Sequence, residues 1–206
     1  MLNIGIYGGS FDPVHSGHVN LVRECLEKTL LDMVYIVPNY IQPFKENKIE
    51  VSTEDRLNML EIAFKDVDRS YISHVEINRK GISYTYKTLD YFKEKHRGEE
   101  IYFISGSDSF INIHKYKKGD YILANFSQII ALRSEDEKKR LNAAINEAKE
   151  KYSTKVILID NKIVDAASSN IKENLKIHNK VLPLPEGVHK YIKKKGCRSV
   201  ACHFIM

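Results

Sequence analysis

Two histidines near the start of the 206-residue chain have the type and spacing to bind phosphate. His15 and His18 are three residues apart, so a helix beginning there would present both side chains on one face. Gly8 and Gly9 precede them, and Gly17 separates them without a side chain. Glycines allow positive φ and let a ligand approach the backbone closely, while a helix N-terminus presents free N–H groups to an anion. The segment therefore predicts a binding site for a phosphorylated ligand.

The arrangement differs from the two commonest phosphate-binding loops. The sequence contains no G-x-x-x-x-G-K-[ST], which excludes a P-loop, and no G-x-G-x-x-G, which excludes a dinucleotide fingerprint. A different class of nucleotide-binding protein is therefore indicated.

Strand-like apolar runs alternate with helix-like segments along the chain. Strands are predicted at 2–7, 33–37, 71–77, 101–104, 128–132 and 156–159. Helices are predicted at 16–30, 52–64, 85–95, 116–123, 134–152, 170–175 and 186–194. This alternation predicts the α/β class, with a parallel sheet, helices on both faces and a single domain. In such sheets ligands bind beyond the carboxyl ends of the strands, which is where the histidine pair would lie.

Composition and charge limit the cellular locations and the classes of partner that we expect for this protein. Hydrophobic residues make up 43% and charged residues 29% of the chain, as in an ordinary globular protein. No apolar run reaches the ~18 residues of a membrane span and no secretory signal is present, so we expect a cytoplasmic protein with no membrane partner. Residues 172–206 carry a net charge of +6 and the remainder carries −1. This near-neutral body argues against nucleic acid as a partner.

The cysteines indicate neither a disulfide framework nor a metal site. Cys25, Cys197 and Cys202 are too few for the first. Cys197 and Cys202, with His203 beside them, lack the spacing of a zinc site. No metal ligand is therefore predicted among the side chains.

Residues 8–18 read G-G-S-F-D-P-V-H-S-G-H and match the pattern G-G-[ST]-F-D-P-x-H-x-G-H completely. On this match the chain is identified as a member of the nucleotidyltransferase superfamily of adenylyl and cytidylyl transferases. The resemblance implies a Rossmann-like sheet, and attack by a phosphate of one substrate on the α-phosphorus of ATP, with loss of pyrophosphate. It also implies that His15 and His18 are catalytic and hydrogen-bond the ATP phosphates, with Mg²⁺ accompanying the pyrophosphate. Catalysis would rest on positioning and charge neutralisation.

Later segments resemble one branch, the bacterial nicotinate-nucleotide adenylyltransferases. Residues 79–89 are similar to its R-x-G-x-S-Y-T-x-x-T-L stretch, 103–109 to its strand ending in G-x-D, and 184–196 to its C-terminal helix. The implied reaction joins ATP and nicotinate mononucleotide into nicotinate adenine dinucleotide and pyrophosphate, in NAD biosynthesis. The nucleotidyltransferase domain would span 1–196, and the tail 197–206 has no assigned role.

The resemblance carries two sets of binding residues onto this sequence. Those implied for ATP are Gly8, Gly9, Ser10, Phe11, His15, His18, Gly106, Asp108, Ser168, Ser169 and Lys172. Those implied for the pyridine mononucleotide are Lys45, Ser83, Tyr84, Thr85, Asp108 and Tyr116. In the family, backbone N–H groups in the 83–85 region meet the pyridine carboxylate, and such donors prefer a carboxylate to a neutral carboxamide.

The sequence departs from the family at several positions. It contains no Trp, and Tyr116 stands where the family has a Trp that stacks on the pyridine. Phe44 replaces a histidine, and Lys172 replaces an arginine that can grip phosphate bidentately. Three alternatives therefore stay open: a nicotinamide-mononucleotide adenylyltransferase, a pantetheine-phosphate adenylyltransferase and a non-catalytic nucleotide-binding relative. The sequence also leaves open whether the protein forms a homo-oligomer.

Overall fold

A six-stranded parallel sheet forms the centre of the structure, a computed structural model that describes residues 1–43, 51–132, 134–159, 171 and 183–195. Its strands are β1 (Asn3–Gly9), β2 (Met33–Pro38), β3 (Ser70–Ile72), β4 (Glu100–Gly106), β5 (Ser127–Ala131) and β6 (Val156–Ile159). Every pair of neighbours is parallel, in the order β3-β2-β1-β4-β5-β6. The predicted parallel sheet is confirmed.

The described residues form eight α-helices that cover both faces of the sheet. They are α1 (Ser16–Lys28), α2 (Thr53–Phe64), α3 (Val75–Arg79), α4 (Thr85–Lys95), α5 (Ser107–Ile111), α6 (Gly119–Asn125), α7 (Lys138–Tyr152) and α8 (Glu186–Lys195). None of these helices combines the length and the apolar character that crossing a bilayer requires.

Two apolar cores hold these layers together. On one face, side chains of α1, α2 and α8 pack on the sheet through residues such as Val22, Leu60 and Ile192. On the other face, α4 to α7 pack on it through residues such as Phe92 and Leu141. Both faces of each central strand are therefore buried, which explains why the strands are almost continuously apolar.

The chain reverses its direction of travel across the sheet between β1 and β4. From β1 it runs outward to β2 and β3, then returns to the other side of β1 and continues through β4, β5 and β6. Strands β1 and β4 are direct neighbours, with Tyr7 opposite Ile104. The loops that leave them turn to opposite sides, so a cleft opens beyond their carboxyl ends.

Three predicted elements differ from the observed ones. The strand predicted at 71–77 ends at Ile72, because the chain turns into α3 at Val75. The helix predicted to begin at residue 116 begins at Gly119, since Lys118 takes a left-handed conformation with φ 61°. The helix predicted from 134 begins with a short 3-10 turn, in which the Ser134 hydroxyl accepts a hydrogen bond from the amide of Asp136.

Candidate active site

A cavity of about 340 Å³ occupies the cleft at the reversal point. It is bounded by the carboxyl ends of β1 and β4 and by the loops that follow β1, β2, α3 and β4. The lining residues that the sequence predicted are Gly8, Gly9, Ser10, Phe11, His15, His18, Ser83, Thr85, Gly106, Asp108 and Tyr116. Segments far apart in the sequence therefore meet around one space.

The end of β1 shapes the floor of this cavity. Neither Gly8 nor Gly9 has positive φ, so that part of the expectation is wrong, and the left-handed residue of the loop is Phe11, with φ 47°. A Cβ added at Gly9 would lie 3.0 Å from the Phe11 ring, whereas one added at Gly8 would meet nothing closer than 4.0 Å. Gly9 therefore makes room for Phe11, and Gly8 leaves backbone open to the cavity.

The two histidines lie against each other beside this floor. Their ring centroids are 3.6 Å apart, and the Phe11 ring stands edge-on to His18 at 5.0 Å. The backbone N–H of His15 donates to Nδ1 of His18 at 3.2 Å. When the His18 ring is neutral, its proton is therefore on Nε2, and this N–H is the donor that the ring can offer to a phosphate.

Hydrogen bonds within the protein occupy part of the first turn of α1. Ser16 N–H donates to the carbonyl of Pro183 at 2.8 Å, and His18 N–H donates to the carbonyl of His15 at 3.0 Å. The expectation of free N–H groups at this helix start is wrong for these two. The hydrogen-bonding capacity of this helix start is therefore partly used within the protein.

Arg56 is a site residue that the sequence analysis missed. Its side chain is buried, with 1% exposed, in the first turn of α2. Nη1 donates to the carbonyl of Ser10 and Nη2 to the carbonyl of Asn39, both at 2.8 Å. Arg56 thus fixes the loop after β1 relative to the loop after β2. A cue was available, since helical spacing puts residue 56 on the same face as the buried Met59 and Leu60.

A buried polar network backs the wall formed by α3 and α4. The hydroxyl of Thr88 donates to Oε1 of Glu76, and Arg79 donates to Thr88 at 3.1 Å. Burial raises the pKa of the Glu76 carboxyl, and the Ser83 and Thr88 hydroxyls and the Arg79 charge offset this only in part. Ser83 also accepts a hydrogen bond from the backbone N–H of Tyr40 at 2.9 Å, so the network reaches the loop after β2.

The opposite wall follows β4. Helix α5 begins directly after Gly106, which puts Asp108 in its first turn at the cavity. Tyr116 lies in the loop before α6 and lines both this cavity and a smaller adjoining one of about 60 Å³. The smaller cavity is also lined by Tyr84, so the structure brings the aromatic candidates together.

Four predicted site residues lie outside the described residues. They are Lys45, Ser168, Ser169 and Lys172. Phe44, the cysteines at 197 and 202, and the tail at 197–206 also lie outside them. Their assignments stay predictions.

Comparisons with known proteins agree with this geometry. The cytidylyltransferase-like family pattern matches residues 6–176. A Clostridium tetani protein named "Probable nicotinate-nucleotide adenylyltransferase" is 31% identical over 93% of this chain and 96% of its own length. An Aquifex aeolicus protein of the same name is 45% identical over 69% of this chain and 83% of its own length.

A solved structure shows the same architecture. The nicotinic acid mononucleotide adenylyltransferase of Plasmodium falciparum, complexed with NaAD, superposes with a TM-score of 0.75 at 22% identity. The superposition covers 95% of this chain and 96% of that one. The likeness confirms the predicted Rossmann-like fold.

Proposed function

The chain belongs to the cytidylyltransferase-like family and, within it, to the nicotinate-nucleotide adenylyltransferases, and from this premise we propose that it joins ATP and nicotinate mononucleotide. The products are nicotinate adenine dinucleotide and pyrophosphate, in NAD biosynthesis. One observation carries the proposal to this chain. A single cavity at the sheet reversal brings the histidine pair, the glycine end of β1 and the Ser83–Thr85 segment together.

The β1 side of the cavity suits the triphosphate of ATP. A phosphate oxygen of the mononucleotide attacks the α-phosphorus, a new P–O bond forms, and the bond to the leaving pyrophosphate breaks. Negative charge then increases on the oxygens around the α-phosphorus. Nε2–H of His18 donates to these oxygens, and His15, buried beside it, holds the ring in place. Arg56 keeps the loop at the required distance from its neighbour.

The α4 side suits the pyridine mononucleotide. Tyr116 offers an aromatic face at the mouth of the smaller cavity, and Ser83 and Thr85 border the space between the two cavities. A tyrosine ring can stack on the pyridine with less contact area than a tryptophan. The mononucleotide phosphate then extends toward the β1 side, where the α-phosphorus of ATP lies.

The divalent ion of this reaction enters with ATP in the proposed scheme. Mg²⁺ keeps several waters and takes one or two carboxylates together with substrate phosphates. The cavity fits this requirement, because the carboxylate of Asp108 borders it. Asp108 would hold the ion, which supplies charge neutralisation to the leaving pyrophosphate.

One set of reactions tests the proposal. The purified chain is incubated with ATP, Mg²⁺ and, separately, nicotinate mononucleotide, nicotinamide mononucleotide or phosphopantetheine, and pyrophosphate release is followed. We expect the highest kcat/KM with nicotinate mononucleotide. Equal or higher kcat/KM with the nicotinamide form, or turnover with phosphopantetheine alone, would contradict the assigned substrate. No turnover with any of the three would indicate a non-catalytic relative.

A further inference from the structure

The smaller cavity carries one formal charge among the described residues that line it. Its walls are the neutral side chains of Asn39, Gln42, Ser83, Tyr84, Thr85 and Tyr116, with Pro43 and the ammonium group of Lys117. The larger cavity, in contrast, is bordered by the carboxyl groups of Glu76 and Asp108. The smaller cavity is therefore the place where a negatively charged substituent meets a cation instead of a carboxylate.

Lys117 is held at this cavity by an aromatic ring. Its Nζ lies 4.5 Å from the centroid of the Tyr84 ring, within the range of a cation–π contact. The next residue, Lys118, has its Nζ 4.6 Å from the Tyr86 ring and takes a left-handed backbone conformation. The two lysines thus dock the loop before α6 onto the start of α4. This docking limits the positions that the Lys117 ammonium can take.

Two of the backbone amides beside this cavity are already engaged within the protein. Ser83 N–H already donates to the carbonyl of Ile41 at 2.8 Å, and Tyr84 N–H donates to the carbonyl of Ile82 at 3.1 Å. The remaining donors of the segment are amides in the first turn of α4. A carboxylate and a carboxamide have nearly the same shape, but only the carboxylate is charged, so a nearby cation can distinguish the two.

We propose that Lys117 is a specificity-determining residue, whose ammonium group favours a pyridine bearing a carboxylate over one bearing a carboxamide. The proposal rests on the function proposed above. The cation attracts the full negative charge of the acid and gains far less from the neutral amide. Tyr84 takes part by holding the ammonium at the wall of the cavity.

The test is the selectivity of Lys117→Met, which keeps the length of the side chain and removes its charge. The ratio of kcat/KM for nicotinate mononucleotide to kcat/KM for nicotinamide mononucleotide is expected to fall by about fivefold, the upper range for an ion pair with an exposed lysine. The lower ratio is expected to come from a higher KM for the acid, with kcat for either substrate nearly unchanged. Lys117→Arg is expected to restore the ratio.

Lys87 provides a matched control. Its Nζ lies 5.9 Å from the same Tyr84 ring, but it does not line either cavity. Lys87→Met is therefore expected to leave the ratio unchanged. Raising the ionic strength from about 0.05 to 0.5 M should lower the wild-type ratio and have little effect in Lys117→Met, since salt screens exposed charges.

The outcomes separate this inference from the proposed function. A wild-type chain that prefers the acid while Lys117→Met keeps the same preference would overturn the inference alone. An equal rise of KM for both mononucleotides would also overturn it, because Lys117 would then act on the shared phosphate. A wild-type chain that adenylates neither substrate would contradict the proposed function itself.

Discussion

Two buried carboxyl groups, Asp55 and Glu76, have opposite surroundings. Asp55 lies between α2 and α8, in a cluster with Ser52, Tyr191 and Lys195 that we call the α2–α8 seam. Glu76 lines the larger cavity of the candidate active site. Their exposed fractions are nearly equal, at 3% and 4%.

The two groups differ in the nearness of a cation, since the closest Arg79 nitrogen lies 3.9 Å from the Glu76 carboxylate. Ser52 and Tyr191 each donate to the Asp55 carboxylate at 2.7 Å, and the ammonium of Lys195 lies 2.9 Å from it. Burial would raise the pKa of Asp55, but these groups outweigh it and the pKa falls below its ordinary value. For Glu76 burial prevails and the pKa rises. Oε2 of Glu76 has no hydrogen-bond partner in the described part of the chain.

The contrast suggests how this fold separates stability from function. A carboxylate with all its donors supplied by the protein fixes one helix against another. A carboxyl group at a cavity wall with one oxygen lacking a hydrogen-bond partner does not contribute its full stabilising capacity. Such groups are common at sites that a ligand completes. Substitutions at the seam should therefore change stability, and substitutions at the cavity should change kinetics.

The largest effect is expected for His18→Ala at the cavity. Removing one preorganised donor to the transferring phosphoryl group should lower kcat by about 100-fold or more. Affinity for ATP and the melting temperature should change much less, since His18 is only half-buried. Steady-state kinetics, ATP titration and a thermal melt measure the three quantities. A kcat within a few-fold of the wild type would show that His18 is not catalytic.

At the seam, Asp55→Ala should lower the free energy of unfolding by about 2 kcal/mol, the scale for losing hydrogen bonds to a charged group. It leaves the Tyr191 hydroxyl and the Lys195 ammonium without their shared acceptor. Denaturant titration measures the loss, and kcat well below the melting temperature should stay within a few-fold. Tyr191→Phe, which removes one donor, should cost less. An Asp55→Ala variant with wild-type stability and a low kcat would contradict the assignment of Asp55 to stability.

The pH dependence of stability should have opposite signs at the two carboxyl groups. The contribution of Asp55 is present above the pKa of an unfolded aspartate and is lost as the pH falls through the lowered folded pKa. The contribution of Glu76 is present below the pKa of an unfolded glutamate and is lost as the pH rises through the raised folded pKa. Glu76→Gln should therefore gain stability over the wild type as the pH rises. A pH-independent difference between the two proteins would contradict this assignment.

The smallest effect is expected for Tyr116→Trp, which introduces the family's aromatic residue. The larger ring should add about 0.5–1 kcal/mol of stacking energy, so KM for the pyridine mononucleotide should fall about two- to fivefold. KM for ATP should not change. An unchanged KM for the mononucleotide would indicate that the Tyr116 ring does not contact the pyridine.

Local patterns predicted much of this molecule. The helix predicted at 85–95 is observed at Thr85–Lys95, because its apolar spacing and its ends depend on neighbouring residues alone. The 8–18 segment likewise carries its pattern within eleven residues. The fold class followed from the alternation of such segments, and is confirmed by the sheet order.

The residues that the sequence analysis missed depend on contacts between distant segments. Arg56 acts on carbonyls at Ser10 and Asn39, which come close only after the sheet has formed. Glu76 was included in a predicted strand, because its neighbours alternate in polarity, whereas the structure buries it in a helix against Thr88. No pattern of neighbouring residue types encodes such partners.

The hydrogen bond from Ser16 N–H to the carbonyl of Pro183 has a consequence for synthesis. The ribosome synthesises residues 8–18 early, whereas Pro183, which accepts the hydrogen bond from the start of α1, is synthesised much later. Strand β4, which pairs with β1, is also synthesised only when about half of the chain has been made. The start of α1 therefore cannot complete this hydrogen bond during most of translation, and a chain released before residue 183 would lack that acceptor even after its sheet had formed.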